Sequence, residues 1–293
     1  MSDPVVVSVR RGSAEESRHR VHAVAVQDGA VVEQAGDAGL VCFLRSAAKP
    51  FQALPLVRAR DDLTQEELAI ACASHLALPA QLDAVRSLLR RADASEAELA
   101  CGPEPTKLEH NCSGKHAGMI ALCRARGWDP TGYHEADHPV QRACTDEVLA
   151  AAGAAADDVP TAVDGCGVVT FALPLERMAL MFSRLEEREG GATAAAAMRA
   201  HPELIRGPKA PDTVLMRTVA GWTAKGGAEG LLCASGPAGL GVALKVEDGS
   251  GRAVGPALAA FLARLGHEVP ALAVAAVVNS RGETVGEVVA QPA

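Results

Sequence analysis

The sequence predicts an α+β protein in which strands from both chain ends share one antiparallel sheet and the interior supplies helices. Three observations predict it. The opening forty residues look extended, the middle carries capped segments at helical spacing, and the end returns to short strands separated by turns.

Val21 to Val26 alternates apolar and other residues, Asp28-Gly29 is a hairpin signal, and Ala30 to Glu33 resumes the extended pattern. Leu40 to Leu44 is a further strand-like run. Thr64-Gln65-Glu66-Glu67 forms a capping box ahead of the apolar segment Leu68 to Cys72, where helix begins. Pro79 to Arg91 places Leu82, Val85, Leu88 and Leu89 at helical spacing. Ser95-Glu96-Ala97-Glu98 is another candidate capping box, and helices follow from Lys115 to Arg126 and Pro139 to Ala152. Gly239 to Val246 reads as a strand, Asp248 to Gly251 as a turn, and Pro256 to Leu265 as a helix. Leu272 to Asn279 and Thr284 to Val289 are strands joined at Arg281-Gly282. No 20–50-residue repeat occurs, and the Ala-rich stretches at 150–156 and 190–197 read as helix ends. Residues 1–293 are therefore expected to form a single domain, with a cleft where sheet meets helical lobe.

Composition narrows the function. With 48% hydrophobic and 22% charged residues the chain can bury a sizeable core. A net charge of -8, spread along the chain, and only 3% aromatics give no basic stripe or stacking platform for nucleic acid. No basic segment leads into a long apolar one at the N-terminus and no apolar run is long enough to span a membrane, so a cytoplasmic location is expected. In that setting the eight scattered cysteines read as reduced thiols or metal ligands rather than a disulfide framework.

Four short segments can carry chemistry. In Arg45-Ser46-Ala47-Ala48-Lys49-Pro50, a helix starting at Ser46 would set Ser46 and Lys49 one turn apart on one face, as nucleophile and buried base. Ser46 as a simple N-cap with a solvated Lys49 is the alternative. Ala73-Ser74-His75 closes an apolar helix; Ser74 there can equally cap it. Asn111-Cys112-Ser113-Gly114-Lys115-His116, with Asp164-Gly165-Cys166-Gly167, offers two thiols and an amine for a soft or borderline metal, Asp164 orienting the lysine. Two buried cysteines and a loop lysine would look the same. In Gly241 to Gly249, strand alternation turns Lys245 towards a cleft from a sheet edge, although edge lysines also guard against sheet pairing.

In this order and spacing, the four segments resemble the rhizobial-type, or class 3, L-asparaginases of the asparaginase II family, over nearly the whole chain. The Asn-Cys-Ser-Gly-Lys-His block is the most specific part of the match. The resemblance implies a serine β-lactamase-like (penicillin-binding-protein-like) fold, a homodimer, and hydrolysis of L-asparagine to L-aspartate and ammonia by Ser–Lys catalysis. It maps the catalytic pairs onto Ser46 with Lys49 and Ser74 with Lys245. It implies a zinc ion, Zn2+, on Cys112, Lys115 and Cys166 with water completing the coordination and Asp164 in support. Arg45 and His116 fall at substrate-contacting positions. Another Ser–Lys acyl hydrolase, a glutaminase or a β-lactam or peptide hydrolase, shares the Ser-x-x-Lys signal. The chain has no Ser-Asp-Asn or Lys-Thr-Gly segment at the expected places, and Lys245 is followed by Val246-Glu247, which points away from penicillin chemistry. A zinc-stabilised scaffold without catalysis would have little reason to keep all four Ser and Lys positions. A thiol-redox protein would need a low-pKa exposed cysteine, and there is no Cys-x-x-Cys pair.

Overall fold

The structure, a computed structural model, describes residues 2–292. Strands β1 (Val5–Arg11), β2 (Ala14–Gln27) and β3 (Ala30–Ala35) open the chain. A small sheet is built from β4 (Val41–Phe43), β5 (Thr161–Val163) and β6 (Val169–Pro174). Strands β7 (Thr223–Gly226), β8 (Leu231–Ser235), β9 (Gly241–Val246), β10 (Val274–Val278) and β11 (Thr284–Ala290) close it. The two chain ends meet in one eight-stranded antiparallel sheet ordered β10-β11-β1-β2-β9-β8-β7, with β3 also on β2. The sheet expected from the strand pattern is thus formed.

Local chemistry accounts for the elements. Asp28 and Gly29 take φ values of +52° and +78°, the paired left-handed geometry of a two-residue hairpin, and set Gln27 opposite Ala30. Thr64 caps the helix Gln65–Ala71, its hydroxyl accepting from the Glu67 N–H while the Glu67 carboxylate accepts from the Thr64 N–H. Such a cap contributes about 1 kcal/mol. Pro79–Arg91 and Pro139–Ala152 are helices over the predicted spans. Ser95 to Glu98 tightens only into a 3-10 turn, too short for the helix that a capping box usually opens.

Both faces of the sheet are covered, because its strands are apolar on both sides. The helix Leu175–Ser183 lays Met178, Ala179 and Phe182 over Val24, Val26 and Ala243. Opposite, the helix Val254–Arg264 packs Leu258, Phe261 and Leu262 on Val7, Val9, Val242 and Leu244. The helix Ser113–Arg126 approaches the end of the helix Gln65–Ala71 so closely that a Cβ on Gly114 would lie 2.2 Å from the Ile70 carbonyl oxygen. That glycine permits the contact that brings the Cys112 segment to Ser74.

Two features differ from expectation. Strand alternation expects Lys245 at a sheet edge, but β9 is an interior strand between β2 and β8. The edge strand is β7, and its lysine is Lys225. The segment from Ser46 begins as a 3-10 turn, Arg45–Ala48, and becomes α-helical only at Lys49–Gln52.

Candidate active site

The chain enters the site at Leu44, whose N–H bonds the Phe171 carbonyl in β6, and at Arg45, whose N–H donates to Thr170 Oγ1 at 3.1 Å. These anchors hold Arg45 at φ +48°, a left-handed conformation that costs a non-glycine residue about 1–3 kcal/mol. Strain of this kind turns the following residue, Ser46, sharply out of the chain. Ser46 is half-buried, and its hydroxyl has no hydrogen-bond partner among the described residues.

Lys49, three residues on, is wholly interior. Its ammonium donates to Ser74 Oγ at 3.0 Å, to Cys112 Sγ at 3.2 Å and to the Ala73 carbonyl. Ser74 is placed by its own backbone, its N–H bonding the Ile205 carbonyl while the next N–H, of His75, bonds that of Asn111. A second buried amine reaches the same hydroxyl: Lys225 Nζ donates to Ser74 Oγ at 2.9 Å and to the Gly226 carbonyl at 2.7 Å. Ser74 therefore lies between two lysines. Burial pushes Lys49 down from its ordinary value, and burial pushes Lys225 down to about 7 against the opposing pull of Asp212. Lys49 also lowers Lys225, and Lys115 lowers Lys49.

The predicted partner of Ser74, Lys245, is not there. Its amine donates to the Val246 carbonyl, and it is half-buried on β9, with Cys42 in its field. In this structure the second amine bonded to Ser74 is that of Lys225, not Lys245. Lys225 sits in Thr223-Ala224-Lys225-Gly226-Gly227, and a Lys-x-Gly on an edge strand is the signal that could have found it.

Beside Lys49 lies the thiol cluster. Lys115 Nζ donates to Cys166 Sγ at 3.0 Å, and Cys112 Sγ lies 2.9 Å from Asn111 Oδ1. The neighbouring Cys166 sulfur, helped by Lys49 and Lys115, holds Cys112 well below the usual thiol range despite burial; the Cys112 sulfur and burial push Cys166 up. Burial pulls Lys115 down, but the neighbouring sulfurs outweigh it and leave its pKa raised. Cys112 precedes the first turn of the helix Ser113–Arg126, which favours an anion there. All eight cysteines are free. Among the described residues no three His, Cys, Asp or Glu side chains converge on one point, so a metal here would take the lysine amine as its third donor. The donor chemistry fits zinc: a thiolate, a second thiol and an amine are packed together in the interior, and an ammonium now supplies the positive charge that the thiolate attracts.

The sequence expects Asp164 to support Lys115. Its Oδ1 instead accepts from Arg45 Nε at 2.6 Å and from the Gly165 N–H at 2.7 Å. It influences Lys115 only through its charge. Arg45 and Asp164 thus form one ion pair beside Ser46. His116 is fully buried; the Tyr133 phenol, pushed up by burial and so protonated, lies 2.7 Å from Nδ1. The ring's other nitrogen, Nε2, has no partner among the described residues. With Nδ1 accepting, Nε2 carries the hydrogen and is a free buried donor. Burial drives the pKa of this ring well below its ordinary value, so it stays neutral. His75, next to Ser74 in the chain, is structural: its Nδ1 accepts from the Ala77 N–H and its Nε2 bonds Ser113 Oγ at 2.8 Å.

A family model described as L-asparaginase II matches residues 7–290. The chain belongs to the L-asparaginase II family. No curated protein sequence gives a significant match. The matched span, residues 7–290, includes every residue of the site described above, Lys225 among them. No helix among the described residues is long and apolar enough to cross a membrane.

Proposed function

We propose that this member of the L-asparaginase II family hydrolyses L-asparagine to L-aspartate and ammonia by Ser–Lys catalysis on a serine β-lactamase-like scaffold. The observation that carries the reading is the Ser74 hydroxyl shared by two buried amines, 3.0 Å from Lys49 and 2.9 Å from Lys225, with the half-buried Ser46 three residues before Lys49. A Ser-x-x-Lys turn, a second serine and a Lys-x-Gly on an edge strand are the working set of Ser–Lys acyl hydrolases.

Ser46 is the nucleophile in this reading, because its hydroxyl is unengaged among the described residues and the residue is only half-buried, while Ser74 is buried between lysines. Ser46 Oγ attacks the side-chain carboxamide carbon as its proton passes to neutral Lys49. The Ser46 N–H, at the start of the Arg45–Ala48 turn, offers a donor to the oxyanion. Lys49 returns a proton through Ser74 Oγ to the departing nitrogen, the C–N bond breaks, and ammonia leaves an aspartyl ester on Ser46. Water then adds to the ester with Lys49 again as base, and Ser46 recovers its proton. Arg45 pairs with the substrate carboxylate and Asp164 with its ammonium, and the free Nε2–H of His116 donates to the substrate. Cys112, Lys115 and Cys166 would hold a zinc ion, with water as the fourth ligand. Bound there, it would supply positive charge that orders the Asp164–Cys166 loop and hence the groups that grip the substrate.

The test is ammonia release by the purified protein on L-asparagine and L-glutamine, with and without added zinc. Release from asparagine, with glutamine well behind, is the expected result; no release from either by folded, zinc-loaded protein would overturn it. Cys112→Ser and Cys166→Ser should each lose bound zinc by metal analysis and raise KM for asparagine roughly tenfold or more, with a smaller fall in kcat, in the range found when metal-site groups are altered. Collapse of kcat at saturating asparagine would instead put the metal in the chemistry.

A further inference from the structure

Asp212 is a buried carboxylate outside the groups used above. It is 1% exposed and stands in the first turn of the helix Pro211–Thr218, where the helix end favours an anion. Its two oxygens are spent on backbone: Oδ1 accepts from the Thr213 N–H and Oδ2 from the Gly226 N–H, each at 2.9 Å. No ion pair within 4.0 Å engages it among the described residues, although burying an unpaired carboxylate is costly. Gly226 explains its placement. Gly226 follows Lys225 on the edge strand β7, where one side of the backbone has no neighbouring strand. Asp212 occupies that open side at the Gly226 N–H, and the Gly226 carbonyl accepts from Lys225 Nζ at 2.7 Å. Asp212 is therefore linked to Ser74 Oγ through the backbone N–H and carbonyl of Gly226 and through Lys225.

We propose that Asp212 is a positioning residue for the Ser74–Lys225 pair, fixing Lys225 through the backbone of Gly226 and setting a negative charge near its amine. The proposal rests on the Ser–Lys reading of the site for its effect on turnover, but not for its geometry. Every charged or titratable group that shapes Lys225 is nearby: Asp212 raises it, Lys49 and Arg206 lower it, and Cys112 raises it, all against a dominant burial that lowers it. Cys72 and Cys233 also lie in its field, both held as neutral thiols by burial. The Asp212 charge is first among the charges. It works against burial and so sets the pH at which the amine becomes the neutral proton acceptor.

Asp212→Asn and Gly226→Ala separate the two parts of this role. The first removes the charge and keeps the size. The second keeps the charge but adds a Cβ 3.2 Å from Asp212 Oδ2, which pushes the carboxylate off the Gly226 N–H. In Asp212→Asn, kcat for asparagine should fall roughly 10- to 100-fold with KM within about threefold, since misplacement of about 1 Å costs up to a hundredfold. Its acid limb should move to lower pH by about one pH unit, because a lost opposite charge favours the neutral amine. Asp212→Glu should bring the limb back. Gly226→Ala should lower kcat with the limb unmoved. In parallel, the ζ-15N resonance of Lys225 in lysine-labelled protein, assigned by its loss in Lys225→Arg, should titrate at lower pH in Asp212→Asn. That readout needs no turnover, so an inactive wild-type protein would sink the asparaginase reading and leave this one standing or falling on the resonance. An unmoved Lys225 titration in Asp212→Asn, or a wild-type kcat in both variants, overturns the proposal. Should Asp212→Asn not fold, Asp212→Glu and Gly226→Ala test the same role through kcat at constant KM.

Discussion

Ser46→Ala is expected to lower kcat on asparagine by at least about a thousandfold, since removing the nucleophile of a serine hydrolase leaves only binding and oxyanion stabilisation. Zinc content and thermal stability should stay near wild type. The structure makes this a clean deletion. The Ser46 hydroxyl has no partner among the described residues, so its loss strands no buried group. Lys49 keeps its bonds to Ser74, Cys112 and the Ala73 carbonyl. Ser74→Ala is the informative companion. It removes the acceptor that Lys49 and Lys225 share and leaves two buried amines short of a partner, so it should cost both activity and stability. If Ser46→Ala kept full activity while Ser74→Ala lost it, Ser74 would be the acylated residue.

The fold was legible where local chemistry decides structure. The Asp28-Gly29 hairpin, the Thr64 capping box and the helices Pro79–Arg91 and Pro139–Ala152 are each specified by a few neighbouring residues, and they form where those residues stand. That both chain ends share a sheet also followed from the pattern, since isolated strand groups need a partner to bury their apolar faces. Strand order did not follow. Local alternation puts Lys245 on one face of β9 but cannot say whether β9 lies inside the sheet or at its edge, because that depends on β2 and β8 arriving from distant parts of the chain.

The site divides the same way. Ser46 and Lys49 share one turn, and Cys112 and Lys115 sit on either side of one helix start, so their neighbourhoods could be read from spacing. Asp164 could be placed near Cys166 but not assigned its partner: the choice between Lys115 and Arg45 is made by β4 pairing with β6, which sets Arg45 against the Asp164 turn. Lys225 left only its Lys-x-Gly and Asp212 no local signature of their meeting, because a helix start and an edge strand come together there only in three dimensions.

Lys225 against Lys245 is therefore the comparison in which sequence and structure disagree most sharply. Lys225→Ala should lower kcat roughly 100- to 10,000-fold, the range for a positioned proton-transfer group. Lys245→Ala should stay within about threefold of wild type, since its half-buried amine meets only the Val246 carbonyl. The pH profile carries the same distinction. Burial places Lys225 at about 7, so its amine is charged below that pH and neutral above it. Proton transfer through Ser74 needs an amine able to accept, and kcat should rise as pH climbs through about 7. Lys245→Ala should retain that limb, and Lys225→Arg, whose guanidinium stays charged, should lose it along with most of the rate. Full activity in Lys225→Ala with collapse in Lys245→Ala would return the second catalytic pair to Ser74 and Lys245. It would then require a rearrangement of β9 against β7 in the working enzyme, because the present strand order puts β8 between them.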